Sequence, residues 1–231
     1  MAGSAWSAPG TVAGFSQSPP NGALLQFAEG ELRLLRQRSR DRRARPRALD
    51  IGCGAARNGV PLAELGWDVV GLDLSWPMIA AAGHRASDAG VSDGLRLALA
   101  PMDALPVRDR SIDLVIAHGI WNLARSGSEF RQAVHEAARV ATTGAALFVF
   151  TFSRHTLPAE AEAVADETFV FTQFSGQPQC FLTETQLLSE LAAAGFDPDP
   201  ALPVRELNRP RPGALPVGSG PVIYEGAFRR R

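Results

Sequence analysis

Two cysteines in 231 residues are too few for a disulfide framework or for a four-thiolate zinc site. One of them, Cys53, sits inside a glycine-rich turn, so a structural disulfide to Cys180 is not expected. The four histidines are scattered, and neither CxxC nor HExxH spacing occurs, so no metal centre is expected. No apolar run approaches the roughly 20 residues that span a bilayer. The N-terminal stretch from Met1 to Trp6 has neither the basic region nor the apolar core of a secretory leader, which predicts a cytoplasmic protein without a membrane segment. A formal net charge of -1 supplies no general attraction for nucleic acid. What remains is ordinary globular material, 45% hydrophobic and 20% charged, in a length that suits one domain.

Residues 1 to 22 are rich in Gly, Ser, Ala and Pro and end in Pro19-Pro20-Asn21-Gly22, which predicts an irregular arm or lid. The domain proper is expected over 23–231. From Ala23 to about Arg43, Leu24, Leu25, Phe27, Ala28, Leu32 and Leu35 recur at helical spacing, and Pro46 ends the pattern. Short apolar runs at Ala48–Ile51, Trp67–Leu72, Leu95–Leu99, Ile112–Ala117 and Ala145–Phe152 then alternate with helical stretches near 56–65, 75–89 and 128–140. Strands alternating with helices predict parallel βαβ units in a doubly wound α/β sheet. A capping box at Thr183 and Gln186 opens a last helix that stops at Gly195. Two final strands, Leu202–Leu207 and Val222–Phe228, are expected to pair through the turn at Arg209 to Gly213.

The segment Arg47-Ala-Leu-Asp-Ile-Gly-Cys-Gly-Ala-Ala-Arg57 is a strand running into a glycine turn that opens a helix, the geometry that brings main-chain amides close to a ligand. A dinucleotide site needs a third small residue where Arg57 stands, and Asp50 would repel a pyrophosphate. An ammonium group would be attracted by that carboxylate, and S-adenosylmethionine carries one. Asp73, nineteen residues after Gly54 at the end of the second strand, suits ribose hydroxyls. Asp103 and the amide of Ala104, after the third strand, suit the edge of an adenine.

Leu49-Asp-Ile-Gly-Cys-Gly, Gly71-Leu-Asp-Leu-Ser-Trp-Pro-Met78, Asp103-Ala-Leu-Pro106 and Ile112-Asp-Leu-Val115 together resemble the ordered motifs of class I S-adenosylmethionine-dependent methyltransferases, over roughly residues 45–155. The resemblance implies a single Rossmann-like domain with a seven-stranded, mostly parallel sheet whose last strand is antiparallel. It implies S-adenosylmethionine as cofactor, with Asp50 and the backbone of Gly52, Cys53 and Gly54 at its amino-acid end. It further implies Asp73 at the ribose, Leu74 and Met78 lining the adenine, Asp103 and Ala104 at the adenine edge, and His118 beside the methyl group. Ala56 departs from the family by replacing a third glycine, which is tolerable where the backbone dihedral is negative.

His118 and His155 are candidate general bases, although a histidine in such a position more often only shapes the pocket. His84 and His135 fall on helix surfaces, and Cys180 has no activating partner. Trp121, Phe169, Phe171, Phe174 and Phe181 either wall an apolar acceptor pocket or pack the core. The expected acceptor is a small molecule with an O, N or S nucleophile, and the expected assembly is a monomer or homodimer. Two other readings stand beside it: a cofactor-binding protein without catalysis, and an RNA methyltransferase recruited by the eight arginines between Arg33 and Arg47. No aromatic stacking platform is interleaved with those arginines, which favours a solvated helix face. The pair Arg57-Asn58 bears a slight resemblance to methyltransferases of the tellurite-resistance type.

Overall fold

The computed structural model describes residues 5–38, 45–209 and 220–231. Its strands are β1 (Arg47–Ile51), β2 (Asp68–Asp73), β3 (Leu95–Leu99), β4 (Ile112–His118), β5 (Ala141–Phe152), β6 (Val170–Phe171), β7 (Gln179–Cys180), β8 (Phe196–Pro198), β9 (Arg205–Leu207) and β10 (Ile223–Arg230). Its helices are α1 (Pro9–Gln17), α2 (Gly22–Arg38), α3 (Gly59–Leu65), α4 (Trp76–Asp88), α5 (Gly127–Val140) and α6 (Glu184–Ala193).

The main sheet runs in the order β3-β2-β1-β4-β5-β10-β8, and β9 also pairs with β10. β1 to β5 are parallel and β10 lies antiparallel to β5, as expected. The count is eight rather than seven, because the far edge of β10 is shared. β8 pairs with its C-terminal residues 228–230, and β9 with residues 223–225. A three-residue strand such as β8 carries too little periodicity to stand out in sequence. The turn expected over 209–213 falls outside the described residues from position 210 onward.

Alternate residues of each central strand feed opposite cores, which is the consequence of a two-residue side-chain period with helices on both faces. Ala48, Leu114, Ile116 and Phe148 pack against α2, α3 and α4. Leu49, Val115, Ala117, Leu147 and Val149 pack against α5 and α6. The strand order reverses beside β1, so the carboxyl ends of β1, β2, β4 and β5 open onto one crevice, the place where such sheets bind ligands.

The expectation of an irregular N-terminal arm is corrected. Residues 9–17 form α1, with Pro9 in its first turn, where the missing N–H costs nothing. None of its residues is buried, so little packing marks it in the sequence. It lies against α4 through Arg85, whose Nη1 donates to the Ser16 carbonyl at 3.1 Å. The Ser75 hydroxyl donates to the Trp6 carbonyl at 3.2 Å. At α6 the predicted capping box is present: the Thr183 Oγ1 accepts from the Gln186 amide, and the Gln186 side chain accepts from the Thr183 amide.

Candidate active site

β1 delivers Asp50 to the mouth of the glycine turn, 2% exposed, and its Oδ2 has no hydrogen-bond partner among the described residues. Burial pushes its carboxyl up to about 7, against the lowering effect of Arg57 and with help from the charge of Asp73. The turn that follows is left-handed at Gly52 (φ 69) and Gly54 (φ 52). A Cβ on Gly52 would lie 2.6 Å from Ile120 Cδ1, so both the dihedral and the space require glycine there. Ala56 is also left-handed, at φ 54, so the condition for tolerating this alanine is not met and the residue is strained.

Asp73 clamps this turn to the end of β2. Its Oδ2 accepts from the Gly54 amide at 2.9 Å and its Oδ1 from the Ser75 amide at 2.8 Å. Ser75, rather than Asp73, caps α4, its hydroxyl accepting from the Met78 amide. The amide of Cys53 is taken by the Leu72 carbonyl at 2.9 Å, so the turn spends two amides, at 53 and 54, inside the protein. Met78 is buried next to Gly54, while Leu74 is 73% exposed at the same rim. Asp103 is half-buried and Ala104 exposed in the loop after β3. The carboxylate of Asp103 has no partner among the described residues; only its main-chain carbonyl is engaged, by Gln132. Cys53 is a buried free thiol whose burial, next to Asp50 and Asp73, pushes its ionisation far up.

His118, at the carboxyl end of β4, stacks on Phe150 with ring centroids 4.2 Å apart. Arg57 Nη2 lies 3.1 and 3.2 Å from its two ring nitrogens. Asn21 Nδ2 lies 3.3 Å from Nε2 while donating to Glu225 at 2.7 Å. Burial and the charge of Arg57 push the imidazole down to about 4, so it is neutral and weakly basic. In the sequence Arg57 counts against a dinucleotide and belongs to the Arg57-Asn58 pair, but neither it nor Asn21 stands out as a partner of His118. Asn21 caps α2 through its Oδ1 and donates its amide to Asn58 at 2.9 Å. An Asn directly before an apolar helical repeat is the signal that would have found it.

His155 follows β5 and stands in a second cluster. Its Nδ1 lies 2.6 Å from Glu206 Oε1, and the same oxygen accepts from the buried Ser153 hydroxyl at 2.5 Å. Arg209 donates to Glu206 Oε2 at 3.2 Å and to His155 Nε2 at 3.4 Å. Burial raises the Glu206 carboxyl, but the hydrogen bonds from Ser153 and His155 and the charges of His155 and Arg209 outweigh it and hold it below the ordinary range. The structure brings Asp50, Asp73 and His118 together around the glycine turn and keeps His155 apart from them. The expected aromatic wall is largely core: Trp121, Phe169, Phe171 and Phe181 are buried, and only Phe174 stands at the surface, 46% exposed. Cys180 is buried and its ionisation pushed up by that burial; His84 and His135 lie on helix surfaces, as expected.

Of the arginine run, residues 39–44 lie outside the described residues. Arg33 pairs with Glu29, Arg36 donates to the Leu65 carbonyl and Arg47 pairs with Asp68. Among the described residues, no helix is long and apolar enough to cross a membrane, and no group of three potential metal ligands gathers.

Sheet order, glycine turn and the acid at the end of β2 define a Rossmann-like domain of the methyltransferase type. Residues 49–149 match the family model of a methyltransferase domain. The chain is 35% identical over 133 residues to a demethylmenaquinone methyltransferase of Corynebacterium efficiens, covering 56% of this chain and 53% of that protein. It is 30% identical over 155 residues to a ubiquinone biosynthesis O-methyltransferase of Azorhizobium caulinodans, covering 65% and 58% respectively. The matched stretch thus spans a little over half the length of these relatives. Among solved structures, the 1,6-didemethyltoxoflavin-N1-methyltransferase of Burkholderia thailandensis, with bound 1,6-didemethyltoxoflavin and S-adenosylhomocysteine, superposes with a TM-score of 0.63 at 18% identity, covering 91% of this chain and 79% of that one. Over residues 49–149 the chain thus matches the methyltransferase-domain family, and its fold is that of the solved S-adenosylmethionine-dependent methyltransferases.

Proposed function

We propose that this protein transfers a methyl group from S-adenosylmethionine to a small-molecule acceptor with an O, N or S nucleophile. The observation that carries the reading is the orphaned, buried carboxylate oxygen of Asp50 at the foot of the glycine turn. A buried carboxylate without a donor is costly, and the ammonium of the cofactor's amino-acid end is a donor of the right charge. The chain's residues therefore fit this cofactor. Asp50 holds the ammonium, and Gly52, Cys53 and Gly54 let the backbone approach. Asp73, already oriented by the Gly54 and Ser75 amides, takes the ribose hydroxyls. Leu74 and Met78 line the adenine, and Asp103 with the amide of Ala104 takes its edge.

When bound, S-adenosylmethionine supplies a methyl group on a sulfonium sulfur, a reaction that gains most from proximity and exclusion of water. His118 contributes shape: neutral, stacked on Phe150 and held by Arg57 and Asn21, it closes the wall behind the donor while remaining a poor proton acceptor. The names of the relatives, a demethylmenaquinone methyltransferase and a ubiquinone biosynthesis O-methyltransferase, support quinols and related hydroxylated aromatics as the first acceptors to try. The protein acts in the cytoplasm as a monomer or homodimer, without nucleic acid. Incubation with methyl-labelled S-adenosylmethionine and a panel of phenols, quinols, amines and thiols tests the proposal. Label is expected in at least one acceptor and is expected to fall steeply with Asp73→Ala at micromolar S-adenosylmethionine. Failure to bind S-adenosylmethionine at all would overturn the reading.

A further inference from the structure

The cluster of Ser153, His155, Glu206 and Arg209 lies at the carboxyl end of β5, outside the shell around the glycine turn, and nothing in the donor-binding role uses it. Its proton positions follow from its partners. A guanidinium only donates, so the His155 Nε2 facing Arg209 must accept, and Nδ1 therefore carries the hydrogen and donates to Glu206. That leaves a half-exposed imidazole whose tautomer is set by a carboxylate behind it and whose Nε2 lone pair meets only the exposed guanidinium of Arg209.

A plain structural staple does not account for these residues, because the same loop is already fastened without them. Arg154 donates to the carbonyls of Leu157, Pro158, Ala159 and Ala161, and its guanidinium lies 4.9 Å from the centre of the Phe171 ring. Thr156 Oγ1 donates to the Val222 carbonyl at 2.7 Å, and the Ser153 amide donates to the same carbonyl at 2.9 Å. His155 is thus carried on a segment held from both sides, as a group that must meet a substrate in one orientation requires. Glu206 comes from the register of β9 on β10, opposite Tyr224, so the carboxylate is as fixed as the sheet. Phe152, immediately before Ser153, and Phe174 form an edge-to-face pair with centroids 5.4 Å apart, and Phe174 is exposed.

We propose that His155, backed by Glu206 and flanked by Arg209, is the acceptor site's proton-accepting group, and that the acceptor is a ring compound with an ionisable hydroxyl, a phenol or enol. This rests on the methyltransferase reading given above. In the step assigned to these residues, the acceptor O–H bond breaks and its electron pair stays on oxygen. The proton goes to His155 Nε2, the resulting imidazolium is neutralised by Glu206, and Arg209 turns its guanidinium to the new oxyanion. The proton leaves later to solvent.

The test uses 4-nitrophenol, a phenol whose anion absorbs visible light, added at mildly acid pH to the protein saturated with S-adenosylhomocysteine. The expected result is a saturable rise in anion absorbance. Binding of the anion should be about tenfold weaker in Arg209→Gln and in His155→Gln, the size of one charge-assisted hydrogen bond lost. Both side chains are half-exposed or more, so neither change disturbs the core. Calorimetric binding of S-adenosylhomocysteine should be the same in wild type and both variants. Two results would overturn the inference alone: bound S-adenosylhomocysteine with no saturable anion signal, or a signal equal in wild type and both variants. Failure of the wild type to bind S-adenosylhomocysteine would instead overturn the cofactor reading beneath it.

Discussion

His118 and His155 stand at the ends of adjacent parallel strands, yet their surroundings give them opposite chemistry. His118 is packed between Phe150 and the guanidinium of Arg57, and both its partial burial and that charge lower its affinity for a proton. His155 is half-exposed, with the carboxylate of Glu206 at one ring nitrogen and the exposed guanidinium of Arg209 at the other. We propose the first as a wall and the second as a base, and the difference between their surroundings lies in partners from distant parts of the chain. Arg57 comes from the glycine turn and Asn21 from the cap of α2, whereas Glu206 and Arg209 come from and beside a short edge strand. A histidine after a strand is therefore only half a statement about function; the other half is which charge faces it.

The largest effect expected on the donor side comes from Asp73→Ala. It removes the acceptor of two amides and of the ribose, and should weaken S-adenosylhomocysteine by about a hundredfold, two charge-assisted hydrogen bonds at roughly 1.5 kcal/mol each. Arg209→Gln, on the acceptor side, should leave that affinity unchanged, so equal losses in the two variants would break the comparison.

Next in size are two opposed pH effects around Arg57. The folded state raises Asp50 from 3.8 to about 7, so its contribution to stability is lost as pH rises through that window. It lowers His118 from 6.5 to about 4, so that contribution is present at neutral pH and lost as pH falls from 6.5 towards 4. The slopes oppose each other in the wild type. Asp50→Asn should leave a protein that loses a few kcal/mol on acidification, and His118→Gln one that gains stability over the same range. Urea unfolding at neutral pH and near pH 4.5 reads both; slopes of the same sign in the two variants would show that Asp50 and His118 are not shifted in opposite directions. Asp50→Asn should also raise stability above pH 7 while weakening the cofactor, a combination that simple damage to the fold would not give.

The smallest effect is at the strained alanine. Ala56→Gly should raise stability by about 1 kcal/mol, the cost of a Cβ in the left-handed region, whereas Gly52→Ala should lower it by more than that because its Cβ also meets Ile120. Thermal melts of the two variants, shifted in opposite directions, would confirm the difference within one turn.

Much of the fold was legible because its signals are local. The five parallel strands were visible as apolar runs, and the Thr183–Gln186 capping box needs only three residues of spacing. Asp50 and Asp73 were legible as site candidates because the glycine turn and the end of β2 fix them by position along the chain. The sign of φ at Ala56 was not legible, since alanine is rare but allowed at positive φ and only the built turn shows it. Glu206 was hidden for another reason: its meeting with His155 spans 51 residues and depends on the register of a three-residue strand. α1 escaped because a helix without buried residues leaves no apolar period to read.

The most direct measurement is calorimetric titration of the purified protein with S-adenosylhomocysteine and with NAD, repeated on Asp73→Ala. Micromolar binding of the first, none of the second, and a loss of about a hundredfold in the variant is the predicted result. Binding of NAD in preference to S-adenosylhomocysteine, or cofactor affinity untouched by Asp73→Ala, would contradict the assignment of the glycine turn and the acid at the end of β2 to the methyl donor.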